Sequence, residues 1–204
     1  MAKALEAAGG RVTVSDDRRV LGKSDLLVVP GQGAFGAAAD VLRRRGLAPF
    51  VKEWLAEDRP FFGICLGLQL LFEGSEEAPG VKGFGILPGR VRKFRPKDRT
   101  LKVPHIGWNQ VSPFSGSSVA RRPGVPASRY RSLLPRPDYF YFVHSFYADP
   151  EDRSSVWTET DYGGRFCSGV ARGRMAAVQF HPEKSGEAGL ALLKSVLRTV
   201  SKGS

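Results

Sequence analysis

The chain has 204 residues, 42% of them hydrophobic and 25% charged, proportions of a single globular domain with a sizeable core rather than a disordered or fibrous chain. It holds only two cysteines, Cys65 and Cys167, and three histidines, so a disulfide framework, a zinc site or any other metal centre is not expected. No apolar run reaches membrane-spanning length and the first residues lack the apolar core of a secretion signal, which places the expected location in the cytoplasm with no membrane contact.

Residues 2–8 read as a short helix closed by Gly9 and Gly10, followed by strands at 11–15 and 25–29. The segment Pro30-Gly31-Gln32-Gly33-Ala34-Phe35-Gly36 then leaves a strand and opens helical segments across 37–57. It contains G-x-G-x-x-G, the local part of a dinucleotide-binding fingerprint. The acid that should stand about twenty residues on, at the end of a second strand, would have to be Glu53, Glu57 or Asp58, and all three fall in the helical stretch. The other reading is that Gly31 and Gly33 let backbone N–H groups approach a reacting carbonyl.

Residues 61–67, Phe-Phe-Gly-Ile-Cys-Leu-Gly, run from an apolar strand into a helix-like stretch and have the form of a nucleophile elbow with Cys65 at its apex. In such a turn the helix N-terminus favours thiolate, and the N–H of Leu66 faces an oxyanion forming beside the sulfur. A lone cysteine among apolar residues commonly packs a core, so a partner is required. The run 175–180 reads as a buried strand ending in His181-Pro182-Glu183. His181 is placed to take the thiol proton, and Glu183 to hold the other ring nitrogen. His105 and His144 have no carboxylate close behind them and read as strand-end structural residues, as Cys167 reads as packing.

After the elbow the texture changes to short strands, at 84–87, 90–94, 106–111, 139–143, 155–160, 166–171 and 175–180, before a last helix at 186–199. The whole net charge of +11 falls between Arg90 and Arg136, where twelve Lys or Arg face one acid, Asp98. Within it, 113–137 reads as a solvated loop rich in Pro, Ser and Arg. It has no recognition helix, zinc finger or RNP-like pattern, so a nucleic-acid partner is not expected and docking to an acidic or phosphate-bearing partner is the alternative use. The expected fold is a single domain over 1–204: an open, mostly parallel α/β sheet flanked by helices, with an antiparallel β excursion between the elbow and the His181 strand.

Pro-Gly-x-Gly-x-Phe, Gly-Ile-Cys-Leu-Gly-x-Gln, Tyr-Phe-Val-His-Ser and Gln-Phe-His-Pro-Glu-Lys-Ser, in this order and spacing, resemble the class I (triad) glutamine amidotransferases. Lys102-Val103-Pro104-His105-Ile106-Gly107-Trp108-Asn109 and Tyr141-Phe142-Val143-His144-Ser145 are similar in particular to the glutaminase subunits of imidazole glycerol phosphate synthase in histidine biosynthesis. The resemblance implies a cofactor-free hydrolysis of glutamine to glutamate and ammonia, with the ammonia passed to a cyclase subunit. That partner makes imidazole glycerol phosphate and aminoimidazole carboxamide ribotide. Cys65, His181 and Glu183 take the catalytic positions. Gln69 and Ser145 resemble substrate-holding positions, Gly31 and Gly33 the oxyanion strand, and Tyr141 and Lys184 positions on the partner-facing side. A glutaminase subunit of another amidotransferase, or an inactive amidotransferase-like binding protein, remains open at this point.

Three departures from that family qualify the match. The family begins with a strand and an Asp-Tyr-Gly-x-Gly-Asn loop ahead of the helix at 2–8, so the sheet is expected to lack that strand, and Met1 is expected to be an internal start. Region 113–137 is longer and more basic than usual. Phe146 stands where relatives commonly carry Tyr, which removes a hydroxyl near the substrate pocket.

Overall fold

The computed structural model describes residues 1–116 and 129–201; of the basic stretch 113–137, residues 117–128 lie outside the described residues. Helix α1 (Ala2–Ala7) and a one-turn α2 (Arg18–Leu21) precede strand β1 (Leu27–Gly31). Helices α3 (Phe35–Arg44) and α4 (Leu47–Ala56) follow, the helical segments expected across 37–57, divided at Gly46 with a φ of 67°. Strand β2 (Phe61–Cys65) runs straight into α5 (Leu66–Gln69). The remaining strands are β3 (Gly89–Lys93), β4 (His105–Pro113), β5 (Asp138–His144), β6 (Phe146–Pro150), β7 (Val156–Asp161), β8 (Arg165–Arg172) and β9 (Met175–Val178), and α6 (Gly186–Ser201) closes the chain.

The strands form one curled, mixed sheet in the order β1-β2-β9-β8-β7-β4-β5, with β6 pairing both β3 and β8. Among the described strands, strand-to-strand parallel pairing joins β1, β2 and β9, which carry or lead into the glycine loop, the cysteine and the histidine. From β9 to β5 every pairing is antiparallel. Alternation along β2 splits its side chains between two cores: Phe61 packs with Trp54 and Phe35 under α3 and α4, while Phe62 and Ile64 pack with Leu192, Leu193 and Val196 of α6. Each such side chain taken wholly from water stabilises the fold by about 1.5–3 kcal/mol, so the short β2 is held from both faces. Trp54 adds a donated hydrogen bond from Nε1 to the Pro60 carbonyl at 2.8 Å, just where β2 begins.

Differences from the sequence expectation have local causes. Residues 11–15 are not a strand. They lie across an open cavity of about 1020 Å³ from β1, lined by Leu5, Val12, Val14, Val28 and Leu197, and a strand needs a ladder partner that no described residue supplies there. Among the described strands β1 pairs only with β2, so a strand on its other edge would occupy this gap. Residues 84–87 are not a strand either, because Phe84, Ile86 and Leu87 give their N–H groups to the carbonyls of Leu70 and Leu71 beneath the elbow. β6 was not expected, since Asp149 and Pro150 weigh against a strand until β3 and β8 supply its partners. No helix among the described residues is long and apolar enough to cross a membrane.

Candidate active site

Cys65 ends β2 and begins α5 with φ 53° and ψ −103°. A positive φ in a non-glycine residue costs on the order of 1–3 kcal/mol and persists only when its surroundings over-determine it. They do: a Cβ on Gly67 would fall 1.9 Å from the Val29 carbonyl oxygen and one on Gly31 would fall 2.6 Å from Leu66 Cβ. Glycines at these places let β1 and the elbow turn approach each other to backbone contact. The parallel register sets Gly31 opposite Cys65, which brings the glycine loop alongside the sulfur. Gly33, at φ 107°, lies two residues farther on. The loop is anchored at its far end, where Glu77 accepts a 2.8 Å hydrogen bond from the Phe35 N–H that opens α3.

The thiol is not poised as thiolate. Burial pushes Cys65 up to about 12, and the Glu183 charge adds to this, while the Leu66 N–H, Gln179 and Lys184 pull the other way. The sequence expectation of a thiol lowered by a helix N-terminus is therefore corrected. α5 is a single turn of four residues, too short to sum a large macrodipole, and Cys65 is only 8% exposed. A neutral thiol in this place needs a base.

His181 stands beyond β9, the parallel neighbour of β2, and is 1% exposed. Its Nδ1 lies 2.8 Å from Glu183 Oε1, the two being held by the short 3₁₀ turn at Pro182–Lys184. A carboxylate accepts, so Nδ1 carries the proton and Nε2 presents its lone pair; Nε2 is buried without a hydrogen-bond partner among the described residues. Burial pushes the Glu183 carboxyl up, but the hydrogen bond from His181, its own backbone N–H and nearby positive charge outweigh it and leave the group below the usual carboxylate range. An ionised carboxylate, an oriented imidazole and a neutral thiol on adjacent strand ends can together move one proton from sulfur to nitrogen and stabilise the ion pair that results.

The turn carrying His181 is clamped to β5. The His181 N–H donates to the Tyr141 carbonyl at 2.9 Å, the Tyr141 N–H donates to Ser185 Oγ at 3.0 Å, and Ser185 Oγ–H donates to the His181 carbonyl at 2.7 Å. Lys184 Nζ sits 5.7 Å from the centre of the Tyr141 ring, so the two partner-facing candidates adjoin each other. Gln69 is 5% exposed, one turn past the cysteine, and its amide nitrogen reaches the Phe146 carbonyl at 3.1 Å and Gln179 Oε1 at 3.2 Å. Ser145 lies half-buried between β5 and β6, its carbonyl accepting from Phe94. Phe146 packs its ring against the core on the α3 side. Sequence reasoning missed Gln179, wholly buried with Nε2 donating to Cys65 Sγ at 3.4 Å, and Ser185. A lone polar residue in the apolar run 175–180 was the available signal for the first.

A family model described as glutamine amidotransferase class-I matches residues 7–199. The chain belongs to that family. This class I glutamine amidotransferase is 41% identical over 201 residues to "Imidazole glycerol phosphate synthase subunit HisH" of Synechococcus sp. (strain JA-3-3Ab), covering 98% of this chain and 88% of that protein. The HisH subunit of Aquifex aeolicus (strain VF5) is 43% identical over 203 residues, 99% of this chain and 91% of its own length. In Arabidopsis thaliana a chloroplastic "Imidazole glycerol phosphate synthase hisHF" matches at 44% identity over 176 residues, 85% of this chain but 28% of the longer protein. Among solved structures, a glutamine amidotransferase crystal structure superposes with a TM-score of 0.70 at 17% identity, covering 98% of this chain and 91% of that one. The glutaminase domain of Trypanosoma brucei CTPS with bound acivicin gives 0.61 at 17%, over 99% and 87% of the two chains. At these identities the structures support the fold alone.

Proposed function

We propose that this glutamine amidotransferase is the glutaminase subunit of an imidazole glycerol phosphate synthase, acting in the cytoplasm in histidine biosynthesis, with Cys65, His181 and Glu183 as its catalytic residues. The observation that carries the chemistry is the His181–Glu183 hydrogen bond of 2.8 Å beside a strained cysteine elbow. Cys65 Sγ bonds to the side-chain carbonyl carbon of glutamine as its proton passes to His181 Nε2. The negative charge that develops on the carbonyl oxygen is met by the N–H of Leu66 and by the Gly31–Gly33 loop. His181 then gives the proton to the amide nitrogen, the C–N bond breaks, and ammonia leaves a thioester. Water, deprotonated by His181, attacks the thioester carbon; the C–S bond breaks and glutamate is released with the thiol restored. Gln69 and the Ser145 region line the substrate side of this site.

The choice of partner rests on the HisH relatives and on the surface of the β4–β5 pair. Ile106, Trp108 and Tyr139 are each more than half exposed there, and Trp108 meets Tyr141 edge-on at 6.4 Å. An exposed face of this kind suits a docking surface, and the position of Tyr141 and Lys184 next to His181 supports a partner approaching beside the site. The deciding experiment measures ammonia release from glutamine by the chain with and without the cyclase subunit, alongside Cys65→Ala. Hydrolysis stimulated by the cyclase and abolished by the substitution is expected; equal rates for the two proteins would reject the assignment.

A further inference from the structure

Gln179 has no part in the reaction as described, yet it is the side chain that donates a hydrogen bond to the cysteine sulfur. What aims its amide can be followed from one atom. The Phe146 carbonyl oxygen only accepts, and two side chains reach it: Gln69 Nε2 at 3.1 Å and His144 Nδ1 at 2.8 Å. On the first arm, the same Gln69 nitrogen also reaches Gln179 Oε1 at 3.2 Å, which leaves Gln179 Nε2 facing Cys65 Sγ at 3.4 Å. Turning the Gln179 amide over would set two NH₂ groups against each other at a buried place.

On the second arm, His144 with its proton on Nδ1 must accept at Nε2, and His105 Nδ1 lies 3.1 Å away to donate. His105 Nε2 then accepts from Asn109 Nδ2 at 3.2 Å, and that amide also donates to the Asp161 carbonyl at 2.9 Å. The Asn109 orientation is fixed in turn by the Gln110 N–H, which donates to Oδ1 at 2.7 Å. Every member of the network has one consistent direction. Both histidines are enclosed by aromatic rings, Phe94, Phe142 and Phe166 among them, and burial keeps them neutral, pushed down to about 4 for His105 and about 3 for His144. The network supplies oriented dipoles and no net charge, which in a dry interior is an efficient way to favour negative charge on sulfur.

We propose that Gln179 is a positioning residue for Cys65, its amide held donor-first toward the sulfur by a relay of Gln69, the Phe146 carbonyl, His144, His105 and Asn109. The inference rests on Cys65 being the nucleophile. The far end of the relay is Asn109 on β4, half-buried next to exposed Trp108, so the sulfur is tied to the strand pair that forms the proposed docking face.

Three variants and one spectroscopic readout test it on the full chain together with the cyclase subunit. Gln179→Met keeps the volume and removes the donor; kcat is expected to fall about tenfold or more, as for a lost hydrogen bond to a charged group, with KM unchanged. Gln179→Glu restores a donor only while its carboxyl is protonated, so its activity should decline as pH rises through that titration, a slope the parent lacks. Nitrogen-15 spectra of the histidine rings should show His105 and His144 neutral and protonated on Nδ1. Asn109→Asp, which replaces the terminal donor with an acceptor, should move the His105 proton to Nε2 and lower kcat. A parent spectrum with His144 protonated on Nε2, or Gln179→Met at full kcat while Cys65→Ala is inactive, overturns the relay. Glutamine hydrolysis that survives Cys65→Ala overturns instead the reading of Cys65.

Discussion

Glu183→Gln isolates the electrostatic work of the carboxylate from its size. In the proposed reaction His181 takes the thiol proton and an imidazolium forms against an ionised carboxylate whose nearest oxygen is 2.8 Å from Nδ1. Charge centres at such a contact stand about 4 Å apart, and a unit pair at that distance is worth about 4 kcal/mol at an effective dielectric of about 20. The Glu183 side chain is 15% exposed, so solvent screens little of this. Loss of about 4 kcal/mol from the step that forms the ion pair lowers kcat by about a thousandfold. The introduced amide adds a second fault: its NH₂ group facing Nδ1 would drive the ring proton to Nε2, where the base lone pair is needed. The assay is steady-state glutamine hydrolysis in the presence of the cyclase subunit, with a melting curve on the same preparation. A kcat within about tenfold of the parent, at unchanged melting temperature, would refute the ion-pair argument.

Gly67→Ala should disrupt the elbow, because its Cβ would stand 1.9 Å from the Val29 oxygen and either β1 or the turn must move. Overpacking of this kind costs about 1–3 kcal/mol, read as a melting temperature lower by about 2–10 °C for a chain of this size together with a loss of kcat; an unchanged melting curve would contradict the close approach described. The buried histidine pair predicts an acid-labile fold. Burial sets the folded-state pKa of His105 at about 4 and that of His144 at about 3, below an unfolded value of about 6.5. The unfolded chain therefore binds more protons in acid. The stabilisation is complete above about pH 6.5 and is lost as pH falls through about 4 for His105 and about 3 for His144. Urea midpoints measured across that window should fall, and His105→Asn should flatten the upper part of the slope, where carboxylates do not yet titrate. Equal slopes for the two proteins would count against it.

The elbow, the His-Pro-Glu turn and the glycine loop were legible because each is a local pattern, with small residues or a proline at fixed offsets from one reactive side chain. What joins them was not. Gln179 and Gln69 are separated by 110 positions in the chain, and His105 and His144 by 39; nothing in periodicity announces that their polar atoms meet. The sign of the Cys65 shift was misjudged for a related reason. The flanking helix is visible in sequence, but the burial that outweighs it comes from Phe62, Ile64, Val178 and Phe180, which only the sheet brings together. Residues 11–15 carry the alternation of a strand, but no described residue supplies the neighbour that would make them one. The opposite holds for β6, whose Pro150 reads as loop until β3 pairs with it.

The clamp between β5 and the His181 turn has a mechanical consequence. Tyr141 turns its ring toward Trp108 and Lys184 on the outer face while its carbonyl holds the N–H of the proposed general base. A push on that ring need not propagate through the core to be felt at the imidazole; the lever is one residue long. A displacement of β5 would reach the His181 backbone through one hydrogen bond, and a base that must meet a sulfur within a few tenths of an ångström is sensitive on that scale. The proposed docking face and the proposed proton transfer would share a single peptide unit.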